Sequence, residues 1–214
     1  MKNSRKTLNG LEGETVDNIE NGEPYYDHVF SKLALANGHF SDIEFEECEF
    51  RDCQFTDTEF RNCKFISYTF RRCNLSMAKF PFTRLSEVDF EECKLVGIDW
   101  TTAEWPVYRK DAEMTFKNCI LTDASFFGLT LHELRCSDCK MHDVDFRDGD
   151  FSNSTLTNCD FTNSLFIRTN LSETDFTDSH NFAINVLDNN LKGATFSRYE
   201  ALALLESLHI ELVD

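Results

Sequence analysis

Large apolar side chains recur at every fifth position of this 214-residue sequence, and this period limits the possible folds more than any other feature. One run of these positions extends from Phe30 to Trp105, and a second, displaced by one residue, extends from Phe116 to Phe196. Phenylalanine occupies 18 of the 33 positions, although the whole chain contains only 21 phenylalanines. Random placement cannot produce such a concentration, so the repeat defines the buried side chains.

A five-residue period fits neither regular secondary structure. The buried face recurs about every 3.6 residues in a helix and every second residue in a strand, so neither element keeps these side chains on one side. The chain must instead turn once per five residues. A second inward position, two residues before each large one, carries mostly small side chains and eight of the nine cysteines. Polar residues fill the remaining positions, which face water.

Four turns close a square coil, and residues 20 apart should then stack on one another. Cysteines follow this spacing at Cys53, Cys73 and Cys93. Exposed charges alternate at the same spacing, which favours attraction between successive coils; the series are Glu44, Lys64, Arg84, Glu104; Glu59, Lys79, Asp99; and Asp52, Arg72, Glu92. The sequence therefore predicts a solenoid of about eight coils, roughly 40 Å long at the spacing of β-strands.

The chain divides into three parts. Residues 1–29 lack the repeat and are interpreted as a loose segment leading into the first coil, and residues 30–196 form the solenoid. The register slips at 105–116, an interval one residue longer than two repeats, so an extra residue should bulge from the coil near Tyr108 and Arg109. Such a bulge is either a tolerated insertion without function or, because loops on rigid scaffolds often carry binding residues, a binding element.

Residues 197–214 change to a helical period. Ser197 and Glu200 have the spacing of a capping box, which predicts a short helix that closes the stack of coils. The apolar residues of this segment exceed what one terminal coil can cover. The surplus predicts a homodimer interface formed by Leu202, Leu205, Leu208, Ile210 and Leu212.

Catalytic and cofactor motifs are missing from the sequence. It has no P-loop, GxGxxG, HExxH or GxSxG motif, and a filled core leaves no substrate cavity. His132, Cys136, Cys139 and His142 have a zinc-like spacing, but the repeat places both cysteines inside and both histidines outside. We therefore expect no catalysis, no cofactor and no metal. Asn181, a polar residue at a large position, is expected to hydrogen-bond to the backbone of an irregular coil, and the alternative is that it marks a functional site.

The composition also restricts location and partners. The N-terminus lacks the apolar core of a signal peptide and no membrane-spanning run of apolar residues occurs, so we expect a cytoplasmic protein without membrane contact. In a reducing compartment the nine cysteines are expected to be buried thiols. A formal charge of −17 argues against direct binding of nucleic acid.

Units such as 159–163 (CDFTN) and 174–178 (TDFTD) resemble the pentapeptide-repeat family, and the resemblance covers residues 30–196. It implies an all-β solenoid, a right-handed quadrilateral β-helix with stacked Phe and Leu at its centre. Within the family the chain is similar to the topoisomerase-protecting group, which includes the Qnr quinolone-resistance proteins and mycobacterial MfpA. Residues 95–106, 121–131 and 205–214 are most similar to the albicidin-resistance member of that group.

This resemblance implies a homodimer, joined through C-terminal elements, that imitates DNA and binds DNA gyrase or topoisomerase IV. The rod carries one net charge per roughly 2.3 Å, against one per about 1.7 Å in duplex DNA. Because the two larger loops of many Qnr proteins are absent, gyrase binding is implied more strongly than quinolone protection. The alternative is a non-catalytic scaffold without a topoisomerase partner. The candidate partner contacts are Tyr108, Arg109, Asp143, Asp145, Asp148 and Asp150, of which Asp145 and Asp150 should point outward with little role in stability.

Overall fold

The chain folds into a right-handed β-solenoid of about eight coils, as the sequence predicts. The computed structural model describes residues 14–15, 18–105, 113–208 and 210. Its strands are short because the backbone turns every five residues; they are β1 (Glu14–Thr15), β2 (Pro24–Tyr26), β3 (His28–Ser31), β4 (His39–Ser41), β5 (Glu44–Glu46), β6 (Glu49–Arg51), β7 (Glu59–Arg61), β8 (Lys64–Arg71), β9 (Arg84–Glu91), β10 (Met114–Lys117), β11 (Arg135–Ser137), β12 (Thr155–Thr157), β13 (Asp175–Phe176) and β14 (Thr195–Phe196). Two 3₁₀ helices span Trp100–Thr102 and Glu200–Leu208.

The strands pair in parallel with their copies one coil further on. Phe30 aligns with Phe50, Phe50 with Phe70, and Phe70 with Phe90, each 20 residues along the chain. β1 and β2, which lie in the predicted lead-in, pair with β3 and β5. The sheet therefore begins before residue 30.

The register slip is larger than the sequence indicated. Phe90 aligns with Phe116, and Cys93 lies opposite Cys119 at a separation of 26 residues, so this coil contains six additional residues rather than one. Five of the six additional residues equal one whole repeat and leave the five-residue frame unchanged. The sequence pattern therefore shows only the sixth residue, as a shift of one position. The additional residues belong to the interval between Trp105 and Phe116, of which residues 106–112 lie outside the described residues.

Stacked aromatic rings fill the centre of the solenoid. Phe30, Phe50, Phe70, Phe90 and Phe116 form one column, with ring centroids 4.7 to 5.4 Å apart. All five are at most 1% exposed. Rings of adjacent columns meet edge to face, as Phe50 and Phe55 do at 5.6 Å. Offset stacking and edge-to-face contact are the favoured arrangements of aromatic pairs, so the columns stabilise one another.

The small inward position connects successive coils by hydrogen bonds. The Cys73 thiol donates to the carbonyl oxygen of Phe50 at 3.3 Å and accepts from the amide of Cys53 at 3.4 Å. The Thr83 hydroxyl does the same with Phe60 and Cys63. A small residue with a donor at this position satisfies two buried backbone groups. All nine cysteines are buried and free, and burial raises the pKa of the Cys63 thiol to about 11.

Each corner places one residue in the left-handed backbone region. Asp52, Asp57 and Asn62 have φ of 55°, 53° and 53°, and the pattern continues at five-residue intervals through most of the described coils. Asp and Asn tolerate this conformation better than most residues. Their abundance at corner positions follows from the backbone geometry.

The last coils depart from the repeat. Asn181 is exposed at φ 59°, and its side chain donates to a carboxylate oxygen of Asp160 at 2.9 Å, so the expected backbone hydrogen bond is wrong. Phe182 and Ile184 are buried nearby, at 4% and 3% exposure. The apolar side chain of Phe182, one residue later, is buried in place of Asn181. This arrangement avoids the free-energy cost of burying the polar side-chain amide of Asn181.

The C-terminal helix is a 3₁₀ helix and lacks the predicted capping box. The Ser197 hydroxyl accepts from the amide of Asp178 and donates to its carboxylate, at 2.9 and 3.1 Å. It is therefore engaged with the preceding coil instead of the helix. Ala203 and Leu204 pack against the core and close its end.

The ring column predicts a strong contrast between two phenylalanines. Phe90→Ala should lower the free energy of unfolding by about 3–5 kcal/mol, because it empties a position between two stacked rings. Phe82→Ala should change it by about 0.5 kcal/mol or less, since Phe82 is 66% exposed. Urea denaturation measures both, and similar losses would show that the ring column is not the stabilising element.

Candidate partner-binding surface

Ion pairs form in two of the three predicted charge ladders. Lys64 pairs with Glu44 at 3.3 Å, Arg84 with Glu104 at 2.9 Å, and Arg72 with Asp52 at 2.7 Å, all across one coil. Lys79 differs, because its ammonium contacts the Asp57 carboxylate at 2.9 Å instead of its register partner Glu59. These four pairs neutralise their own carboxylates, so the uncompensated charge lies elsewhere.

The four predicted contact aspartates lie on one coil but differ in surroundings. Asp143 and Asp148 occupy exposed corners, with φ of 55° and 58°. Asp148 pairs with Arg168 at 2.6 Å, and Asp145 pairs with Arg147 at 2.8 Å. These hydrogen bonds to guanidinium groups lower the pKa of both carboxyls. The coil therefore combines acidic and basic groups and is less negative than the sequence indicated.

Asp145 and Asp150 also hold the backbone turns together. Each carboxylate accepts a hydrogen bond from the amide two residues later, that of Arg147 or Ser152, at 3.0 Å. Asp99, Asp160 and Asp175 make the same contact in other coils. Both side chains are half-buried. These hydrogen bonds are Asx turns, and each satisfies a backbone donor that has no strand partner at the corner. The expectation that Asp145 and Asp150 contribute little to stability conflicts with this role.

Some of the other predicted contact residues lie outside the part of the chain that the structure describes. Tyr108 and Arg109 lie in residues 106–112, and Leu212 lies in residues 211–214, neither of which the structure describes. Leu202, Leu208 and Ile210 are 48%, 41% and 51% exposed, and Leu205 is half-exposed. Tyr199 is also exposed, at 80%, so several large apolar side chains of the C-terminal segment face solvent.

One corner of the solenoid is strongly acidic, and it was not predicted from the sequence. Reading the chain at 20-residue intervals, with 26 between positions 87 and 113, places nine left-handed residues in one column. Six of them are acidic, and none of the six pairs with a cation among the described residues; the column is Asp27, Glu47, Ser67, Glu87, Glu113, Glu133, Asn153, Glu173 and Gly193. The acidic residues of each half of the repeat recur every 20 residues in the sequence. Only the length of the insertion shows that the column ending at Glu87 continues at Glu113.

The zinc-like sequence spacing does not correspond to a cluster of ligands. Cys136 and Cys139 are buried in the core, whereas His132 contacts the Ser152 hydroxyl at 2.8 Å and His142 contacts the Asp160 carboxylate at 2.6 Å. Within the described ranges, no three His, Cys, Asp or Glu side chains are grouped in a way that could hold a metal. Among these residues, no helix is both long enough and apolar enough to cross a lipid bilayer.

Asp160 is the centre of a polar network on the surface. Partial burial disfavours its charge, but hydrogen bonds from Asn181, His142 and Thr162 outweigh this effect and lower the pKa of the carboxyl well below its usual range. The Thr162 hydroxyl donates at 2.7 Å and its amide at 3.2 Å. The network ties the displaced Asn181 to the preceding coil.

Comparison with known proteins agrees with this geometry. The family model for the pentapeptide repeat region matches residues 28–100, 43–126 and 110–176, which together make up more than half of the chain. The chain therefore belongs to the pentapeptide-repeat family. No curated protein matches it in sequence.

Solved structures of QnrB1, a plasmid-mediated fluoroquinolone resistance protein, are similar in fold. One trypsin-treated variant of it is 22% identical, with a TM-score of 0.58 over 94% of this chain and 95% of that one. The full-length form is 23% identical, with a TM-score of 0.54 over 92% and 96% of the two chains. A second trypsin-treated variant is 21% identical, with a TM-score of 0.53 over 94% and 96%. The similarity extends along nearly the whole solenoid.

The Asp160 network predicts a pH-dependent contribution to stability. Because the pKa of Asp160 is lower in the folded chain than in the unfolded one, its contribution is fully present above the unfolded value of about 4 and decreases as the pH falls toward the folded value. Asp160→Asn should therefore cost roughly 1 kcal/mol at pH 7 and less at pH 3. Denaturation curves at both pH values measure the difference, and an equal loss at pH 3 would exclude an electrostatic origin.

Proposed function

We propose that this protein binds DNA gyrase or topoisomerase IV at the DNA-binding surface and lessens poisoning of the enzyme by topoisomerase-directed antibiotics. The observation that carries the proposal is a rod of about eight coils with a formal charge of −17. Basic surfaces that bind DNA phosphates attract such a rod by long-range electrostatics. The fold shared with QnrB1 supports the same function.

The narrower resemblance to the albicidin-resistance protein AlbG leads us to include albicidin-type compounds among the poisons. The proposed site of action is cytoplasmic and requires neither a cofactor nor catalysis. The alternative function is a scaffold that uses the rod without a topoisomerase. Supercoiling and cleavage assays with purified gyrase, with and without a fluoroquinolone or albicidin, test the proposal over a concentration series of the protein. Absence of both gyrase binding and protection at low salt would favour the scaffold.

We propose further that the protein is a homodimer joined at its C-terminal end, which would double the length of the acidic rod. The exposed side chains of Leu202, Leu208 and Ile210 support this proposal, because apolar groups gathered at one end gain stability when a partner covers them.

Leu208→Glu should convert the dimer into a monomer, because it places a charge in the proposed apolar interface. Met77→Glu is the control, since Met77 is 50% exposed but lies in an earlier coil. Light scattering at micromolar concentration gives the mass of each variant. A monomeric wild type would contradict the dimer and the extended rod.

Binding to gyrase should weaken strongly when Asp143 and Asp148 are replaced by Lys, because this change reverses two exposed charges without removing the turn contacts of Asp145 and Asp150. Asp52 and Asp57 provide a matched control pair, since they occupy left-handed corners and undergo the same charge change near the N-terminal end. Affinity should also decrease with salt, because screening shortens electrostatic attraction. Equal effects of the two pairs would indicate a response to net charge alone.

A further inference from the structure

Five exposed apolar side chains lie along one face of the solenoid, the face whose core positions include Phe126, Phe146 and Phe166. Three of them occupy the same outward position in different coils, spaced by multiples of 20 residues, and two lie beside that position on the same face. They are Phe127 at 45% exposure, Ile167 at 38%, Leu187 at 73%, Phe82 at 66% and Leu165 at 43%. We refer to these five residues as the apolar stripe.

The fold itself does not favour apolar residues at these positions. Phe82 is a corner residue with φ of 58°, in the left-handed region that Asp and Asn tolerate better than an aromatic residue. The same corner carries Asn62 one coil earlier. Arg61 lies over the ring of Phe82 and Arg147 over that of Phe127, at 5.8 and 5.7 Å, but both rings remain well exposed. A row of exposed apolar side chains on a polar surface is typical of an interaction site.

The spacing of the stripe favours a helix as its partner. Phe82 precedes Phe127 by two coils, and Phe127 precedes Ile167 by two coils. Two coils measure about 9.6 Å at the spacing of paired strands. Residues i and i+7 of a helix are about 10.5 Å apart, whereas side chains on one face of a strand repeat at about 6.8 Å. A helix therefore matches the repeat of the stripe, and a strand does not.

The charge of this face selects a basic helix. Its other corner carries Asp123 and Asp143, which are both exposed and form no ion pair within the described part of the chain. Asp145 and Asp148, on the same face, are already paired with arginines. A second copy of the chain would bring another charge of −17 alongside the first and be repelled, whereas a basic segment would be attracted.

We propose that the apolar stripe binds a basic amphipathic helix of a partner protein. Apolar side chains of that helix, one at every seventh position, would pack on Phe82, Phe127 and Ile167, and its Lys or Arg side chains would face Asp123 and Asp143. From Phe82 to Leu187 the stripe crosses five coil intervals, about 24 Å, which is the length of roughly 16 helical residues. The inference rests on the proposed function only for the identity of the partner, a topoisomerase.

Two isoleucines of nearly equal exposure provide a matched measurement. Ile167 is 38% exposed in the stripe, and Ile120 is 39% exposed on another face. Full-length protein carrying ¹³C-methyl isoleucine is titrated with a synthetic Leu/Lys peptide of about 16 residues, with its leucines on one helical face, and is observed by NMR. The Ile167 signal should shift to saturation while Ile120 does not move. Equal shifts of both signals, or equal affinity for a peptide of the same composition in scrambled order, would overturn the proposal.

Substitutions at the same two positions then locate the site. Ile167→Ser should weaken binding of the peptide by about fivefold or more, because it removes apolar surface from the contact, whereas Ile120→Ser should not. Phe82→Asn should also weaken binding without lowering stability, since Asn suits the left-handed corner. Equal effects of the two isoleucine variants would overturn the stripe as a site.

Light scattering tests the competing occupant, a second copy of the chain. The proposal predicts that Ile167→Ser and wild-type protein have the same mass at micromolar concentration. If the wild type is a dimer and Ile167→Ser is a monomer, the stripe is an interface between copies and the proposed helix is wrong.

A final comparison separates this inference from the proposed function. Ile167→Ser and Ile120→Ser are tested for gyrase binding beside the peptide titration. If the peptide binds at Ile167 but wild-type protein has no affinity for gyrase, the stripe stands and the topoisomerase partner is wrong. If gyrase binds wild-type protein and both variants equally while the peptide leaves Ile167 unaffected, the stripe is wrong and the proposed function stands.

Discussion

The stacking of each buried ring on its copy one coil further on is the interaction on which the rest of the structure depends. Because Phe70 lies between Phe50 and Phe90 at centroid distances of 4.7 and 5.4 Å, ring stacking and strand pairing require the same coil spacing. A coil of different length would separate both sets of contacts. Even where 26 residues separate the two copies, Phe90 meets Phe116 at 5.1 Å without a gap.

The other repeat positions follow from this constraint. The left-handed corner turns the chain toward the next side of the square, and the residue before the large one often caps that turn, as Asp145 and Asp160 do. The small inward residue then satisfies the amide and carbonyl groups left between coils, through a thiol or a hydroxyl. Asp and Cys are thus structural residues in this chain, and their frequency alone is weak evidence of function.

Functional charge must be distinguished from charge that the fold already uses. Three ion pairs across one coil neutralise charges in two of the predicted ladders, and Asp148 is neutralised by Arg168. The acidic corner differs, because it repeats one sign of charge along the axis and its six acidic residues form no ion pair within the described part of the chain. Repulsion retained in a regular and otherwise well-paired scaffold is the feature that directs attention to a partner.

The sequence by itself determined the five-residue turn, the inward direction of all nine cysteines and the 20-residue alignment, because each large residue has one core position that it can fill. It also identified the C-terminal apolar surplus: Leu204 is partly buried against the core, whereas Leu202 in the same short segment is exposed. The tertiary structure alone decided the length of the insertion, the burial of Phe182 in place of Asn181, and the roles of Asp145 and Asp150 in the turns. It also placed Glu87 opposite Glu113. Which residues align across coils depends on the length of the insertion. An insertion of one whole repeat plus one residue shifts the five-residue period by only one position, so the period alone does not give that length.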